Sequence, residues 1–412
     1  MASDAAVQEA EAAIARLITA PMPPDPYPLY EAVRRVDRVY ETPLVPGAYA
    51  VTGYREVSSV ARMPGMRNGV RAAAMQREDW QEHESLRLFL RALVNLDPPE
   101  HPAMRDVASS VFTPHAIKQM RASIEELAER FVGELAEAAR TGEPVDLVPA
   151  LASPFPVAVI SRMLGVPDDQ GMHCYALAND WTRIWGGSFY SDEELAQADR
   201  SVLELRALFG ELFRARRAEP RDDLISALVA QHEAGRLDDE DLMALATFLF
   251  ISGFETTTNL ISTAVHTLLE FPDQLELWRK DPDITVSAVD ELLRHGTPIC
   301  GTVRLTSETV EIGGKQIPPG RMLFLMTAGA NRDPEQFTDP DRLDLTRNEG
   351  GHVSFGGGAH YCLGANLARM EAQVVLPMII NRFSGIEVAG EVQWRTSIGL
   401  HGFDHLPLKL TV

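Results

Sequence analysis

The sequence is poor in cysteine, with three among 412 residues, and Cys174, Cys300 and Cys362 lie far apart. An odd number at such spacing provides no disulfide framework and no clustered ligands for zinc, and it suits a reducing cytoplasm. Long apolar runs are lacking as well. The longest, residues 242–254, falls short of the ~18 residues a membrane span needs. Residues 5–17 mix Ala, Glu and Ile as an amphipathic helix does, without the apolar h-region of a signal peptide. Basic residues are in deficit, 38 Lys and Arg against 59 Asp and Glu, for a net charge of −21. That balance opposes contact with phosphate backbones and excludes nucleic acid as a partner class. The expectation is a soluble, unanchored chain, 45% hydrophobic, long enough for two or three average domains or one large fold.

What is present concentrates around Cys362, in the run Phe355-Gly356-Gly357-Gly358-Ala359-His360-Tyr361-Cys362-Leu363-Gly364. The glycines are expected to let the backbone pass close to something flat. Leu363, Leu367, Met370, Val374 and Met378 follow at helical spacing, so the cysteine stands at a helix N-terminus, where free N–H groups and the helix dipole lower a thiol's pKa. A lone cysteine is ordinarily a small buried hydrophobe, and a triple glycine ordinarily a turn. The fixed order of aromatic, glycines, histidine and cysteine favours a thiolate in one axial position on haem iron.

A second stretch begins at the acidic run Asp238-Asp239-Glu240 and meets no proline before Pro272, which predicts a helix of about thirty residues, buried because its centre is apolar. Inside it lies Ser252-Gly253-Phe254-Glu255-Thr256-Thr257-Thr258. Ser252 and Thr256 share a face, and with Gly253 they leave a groove for a small ligand, while Glu255 is an ionisable group for proton delivery. A kinked structural helix, with Glu255 paired to a buried arginine, explains these residues equally well. In Asp97-Pro98-Pro99-Glu100-His101-Pro102-Ala103-Met104-Arg105, His101 and Arg105 fall four apart and can grip one anion. Glu291 and Arg294 fall three apart on a helix, a spacing that usually means a surface ion pair.

Taken together, these four motifs resemble the cytochrome P-450 haem-thiolate monooxygenases, in that family's order and over nearly the whole chain. The resemblance implies a mainly α fold with a small β-sheet portion, in a single domain spanning 1–412, with roughly the first twenty residues a flexible or peripheral helix. It implies haem b bound through Cys362, Phe355 shielding the sulfur, Gly364 in the cofactor loop, and His101, Arg105, His360 and Arg304 on the propionates. Thr256 would hydrogen-bond the oxygen, Glu255 would join the proton relay, and Glu291 with Arg294 would be a buried structural pair. Two departures stand out: Ser252, where alanine or glycine is commoner, and the bulky Phe254, where many bacterial members carry histidine.

The implied reaction is insertion of one oxygen atom from O2 into a largely apolar small molecule. Electrons would come from NAD(P)H through a reductase and a ferredoxin, since no flavin or iron–sulfur motif occurs. An acidic ferredoxin would need a basic patch, with Arg105, Lys118 and Arg369 as candidates. Phe248, Ser252, Ile299, Val303, Ile398 and Leu400 are the pocket candidates. A peroxide-driven peroxygenase and a non-enzymatic haem sensor or carrier stand as alternatives.

Elsewhere the pattern predicts a hairpin from 39–42 and 48–52, a mobile loop with short helical pieces at 63–90, and a hairpin at 310–317. Trp181, Trp185, Phe189 and Tyr190 fit either a helical core or a substrate entrance. His401 and His405 are not expected to be ligands.

Overall fold

The proline-free stretch folds into a single helix, Asp239–Glu270, in the computed structural model, which describes residues 3–19, 22–186, 190–395 and 399–412. Asp238 caps it by accepting from the Asp241 N–H at 2.6 Å, and three acidic residues follow in the first turn. Both features satisfy the positive end of the helix. At 32 residues the helix is roughly 48 Å long. It is buried on nearly every side, against helices Glu84–Arg91, Pro154–Leu164, Asp192–Ala218 and Ala365–Arg382. One apolar cluster runs through these helices from Leu86 to Leu410. The polar step at Ser252 and Thr256 does not kink the helix into two, and the helix continues unbroken.

The β portion is small. Val39–Thr42 and Ala48–Val51 pair antiparallel, and Ala48–Val51 then runs parallel to Met322–Leu325, which carries Thr302–Thr306 and finally Met66–Asn68. Gln393–Trp394 pairs with Phe403–His405, and Val310–Ile312 pairs with Lys315–Ile317. The N-terminal helix Asp4–Thr19 lies on Tyr27–Val36 and buries Ala10, Ala13, Ile14 and Leu17. Among the described residues, no helix is long and apolar enough to cross a membrane.

Residues 63–90 hold the expected short helical pieces, and a strand joins them. They form strand Met66–Asn68, helix Gly69–Ala74, a turn of helix at Trp80–Glu82, and helix Glu84–Arg91. Each is too short for a hydrophobic period to show. Asn68 organises the join: its side chain caps the second element by accepting from Arg71 N–H, and donates to the Val94 carbonyl at 2.7 Å. Of the arginines here, Arg77 pairs with Asp79 and Asp192, Arg87 with Glu84, and Arg71 donates to the Leu90 carbonyl.

Glu291 and Arg294 are not at the surface. Their side chains are 2% exposed and meet in a two-point contact of 2.7 and 2.8 Å. Arg294 also donates to the carbonyls of Asn331 and Pro340, and Glu291 accepts from Arg347 and the Asp344 N–H. The pair thereby fastens helix Thr285–His295 to the irregular chain leading toward Cys362.

Candidate active site

Cys362 lies just before helix Ala365–Arg382, and its N–H donates to the Phe355 carbonyl at 3.0 Å, closing the loop on itself. Among the three cysteines only Cys362 has an exposed surface. Burial pushes its thiol above the ordinary range, against the Gly364 N–H and the cations of Arg105 and Arg369. The expectation of a lowered pKa is therefore corrected: the helix start alone does not ionise this thiol, and a bound metal would have to do so. The glycines also serve a different end. Gly356 and Gly358 adopt positive φ, and a Cβ on Gly358 would lie 2.6 Å from the Ala61 carbonyl oxygen. The close approach at Gly357 and Gly358 thus lets the loop cross the end of helix Tyr54–Arg62. Phe355 carries the Arg369 guanidinium over its face at 4.5 Å, and Arg369 is held by Asp290 at 2.7 Å.

Four cation-bearing side chains converge beside this loop. The His101 and His360 rings lie 4.0 Å apart. Arg105 donates to the Tyr361 carbonyl at 2.8 Å, and Arg304 is buried. Burial, then Arg304, His101 and Arg105, drive the His360 pKa down to about 3. His101 is lowered by burial and by Arg105, with Asp97 opposing, and burial lowers Arg304 against Asp97. So much positive character with so little counter-charge fits an anionic ligand.

On the long helix, Phe248, Ser252 and Thr256 retain accessible surface while their neighbours are buried. They recur every four residues and form one face. The Thr256 hydroxyl donates to the Ser252 carbonyl at 3.5 Å, the limit of a hydrogen bond. Gly253 does not shape a groove: a Cβ there would lie 2.5 Å from Ile160, so it permits close helix packing. Phe254 is buried against Tyr175 and Phe250. Glu255 is buried and faces Arg395, 3.4 Å away. Burial raises its pKa, while Arg395 and the Thr182 hydroxyl pull it back. Arg395 was not legible in the sequence.

Among the pocket candidates, Ile299 is 40% exposed and bridges to Leu400, Val303 packs on Gly69, and Phe248 stacks on Trp185. Ile398, like Phe189, lies outside the described residues. Trp181 is core, with its indole N–H on the Ser85 carbonyl at 3.1 Å. His401 bonds the Pro24 carbonyl and His405 bonds Asp146. An accessible thiol, a cationic cluster and a half-open helix face with one hydroxyl step fit an iron porphyrin with acidic side arms.

The sequence pattern of the family described as Cytochrome P450 matches residues 193–403. Cytochrome P450 107B1 of Saccharopolyspora erythraea is 38% identical over 323 residues, covering 77% of this chain and 76% of that one. The 6-deoxyerythronolide B hydroxylase of the same organism is 37% identical, covering 76% of each. The solved structure of P450BioI in complex with an acyl carrier protein superposes with a TM-score of 0.86 at 30% identity, covering 94% of this chain and 98% of that one. By sequence and by fold, the chain belongs to the cytochrome P450 family of haem-thiolate monooxygenases.

Proposed function

We propose that this enzyme uses haem b to insert one atom of O2 into a largely apolar organic substrate, by hydroxylation or epoxidation, in natural-product biosynthesis or catabolism. One observation carries the reading: an accessible thiol at Cys362 coexists with an accessible polar step, Ser252 and Thr256, in the largely buried middle of the long helix. When bound, haem b supplies the iron that activates dioxygen, and thiolate donation favours O–O cleavage.

This chain's residues then take separate tasks. Cys362 would hold the iron, its loop closed by the Phe355 carbonyl and the Gly364 N–H directed to the sulfur. His101, His360, Arg304 and Arg105 receive the propionates. Thr256 loses little by turning its hydroxyl from the Ser252 carbonyl, because that bond is already long. Glu255 carries the proton behind it, since a buried carboxylate drawn toward neutrality by its surroundings is suited to proton exchange near neutral pH.

Phe248, Ile299, Val303 and Leu400 offer the substrate an apolar wall, interrupted by the Ser252 hydroxyl. Similarity to an enzyme named for hydroxylating 6-deoxyerythronolide B supports a bulky natural product. Electrons arrive from NAD(P)H through a reductase and a ferredoxin. The docking charges reduce to Arg105 and the exposed Lys118, since Arg369 is already engaged by Asp290.

The test is spectroscopic. Reduced, carbon-monoxide-treated protein should show the strongly red-shifted absorption of thiolate ligation, and Cys362→Ala should abolish it. A protein that stays colourless after haem supplementation, or a variant with an unchanged spectrum, would end the reading. Titrating apolar compounds against the haem spin state separates an oxygenase, which responds, from a haem carrier, which does not.

A further inference from the structure

Glu255 meets its cation in an unexpected place. Arg395 directly follows strand Gln393–Trp394 and reaches Glu255 with one guanidinium nitrogen at 3.4 Å. The same nitrogen donates to Asn259 Oδ1 at 3.4 Å, and Arg395 Nε lies 3.6 Å from Asp404. Asn259 stands one turn beyond Glu255, fully buried, and Gly402 comes so near that a Cβ there would lie 2.2 Å from Asn259 Oδ1. The backbone N–H of Arg395 donates to the Gly402 carbonyl at 2.9 Å. The C-terminal strand pair is thus pressed against the long helix at the level of its acid, with Asp404 half exposed on the outer side.

We infer that Arg395 is a positioning residue for Glu255: its guanidinium keeps the buried carboxylate able to ionise and links it, through Asp404, to the solvent side of the strand pair. This rests on the reading of Glu255 as a proton carrier. A carrier must give up its proton and reload, and a carboxyl buried without a cation stays neutral and reloads nothing. The groups facing Glu255 are few: Thr182 from helix Gly171–Thr182, and Arg395 with Asp404 behind it from the strand pair. Arg395 is the only cation acting on Glu255 among the described residues, so its removal has no substitute.

The experiment is infrared titration of the purified ferric holoprotein, assigning the protonated Glu255 band by its loss in Glu255→Gln. In Arg395→Gln the midpoint of that band should move up by about 1–3 pH units, the usual effect of one opposite charge at this range. Arg395→Lys should restore most of the shift. In Arg395→Gln the fraction of NAD(P)H recovered as product should fall at neutral pH and recover as pH rises past the new midpoint. An unchanged midpoint in Arg395→Gln, with native thermal stability, overturns the inference. If the midpoint moves but Glu255→Gln leaves coupling intact, the proton-carrier role of Glu255 fails instead.

Discussion

His101 and His360 lie ring to ring, 4.0 Å between centroids and 38° between planes, joining the start of helix Glu100–Val111 to the loop that carries Cys362. Two imidazoles tolerate this contact only while at least one is neutral, and both are pushed that way by burial and by the flanking arginines. The charge available to the proposed anionic ligand then comes from Arg105 and Arg304.

Arg304 is the most telling member to remove, because it is buried and, among the described residues, its side chain bonds only to Thr302 and to the Val303 carbonyl. Arg304→Gln should weaken haem retention by about 1.5–3 kcal/mol, the worth of a charge-assisted hydrogen bond. The check is the rate of haem transfer to an excess of apo-globin, expected to rise at least tenfold over the native protein.

Glu291→Gln should cost about 3–5 kcal/mol of stability. It leaves Arg294 and Arg347 without the shared carboxylate in a site where the side chains of all three are 7% exposed or less. Arg294→Lys should cost nearly as much, since a lysine cannot hold Glu291 and the carbonyls of Asn331 and Pro340 at once. Denaturant unfolding of the two variants, followed by helix signal, measures both losses.

Asp333 sets part of the acid limit. It is fully buried and accepts from Arg38 at 2.6 and 3.1 Å, from the Tyr54 N–H at 2.8 Å and from the Glu335 N–H at 3.0 Å. Burial raises its pKa, but the Arg38 contact and the two N–H groups outweigh it and leave a net lowering. A carboxylate depressed on folding stabilises the native state above its unfolded pKa near 3.9, and that contribution disappears as pH falls through the lower folded value. Asp333→Asn should therefore destabilise strongly at pH 7 and progressively less below pH ~4. Melting temperatures of the two proteins across that range should converge toward the acid end.

Much of this was legible in the sequence because it was local. The cysteine loop, the acidic start and proline stop of the long helix, and the three-residue spacing of Glu291 and Arg294 all lie within single stretches where chemistry and period coincide. What stayed hidden was contact between distant stretches. Nothing near Arg395 marks it as the partner of Glu255, and nothing near Arg347 marks it as a third member of the Glu291 pair. Gly253 read as room for a ligand, whereas its neighbour Ile160 shows room for packing. Glu371 is similar: it sits on the helix after Cys362, fully buried with neither oxygen bonded among the described residues, and burial raises its pKa well above normal. An amphipathic pattern gives no warning of such a carboxyl.

Thr256→Ala separates the two routes by which this site could use oxygen. The hydroxyl is held by nothing stronger than a 3.5 Å contact to the Ser252 carbonyl, so its loss should leave helix and fold intact, with a melting temperature close to native. Removing a positioned proton donor typically costs 10²–10⁴-fold in the step it serves. With O2 and a reductase chain, product formation should fall by about 10²-fold while NAD(P)H consumption continues and hydrogen peroxide accumulates. Supplied with hydrogen peroxide directly, the variant should keep most of the native rate, because that oxidant brings its own protons. Equal losses under both regimes would place Thr256 in substrate binding, and no loss under either would remove it from the reaction.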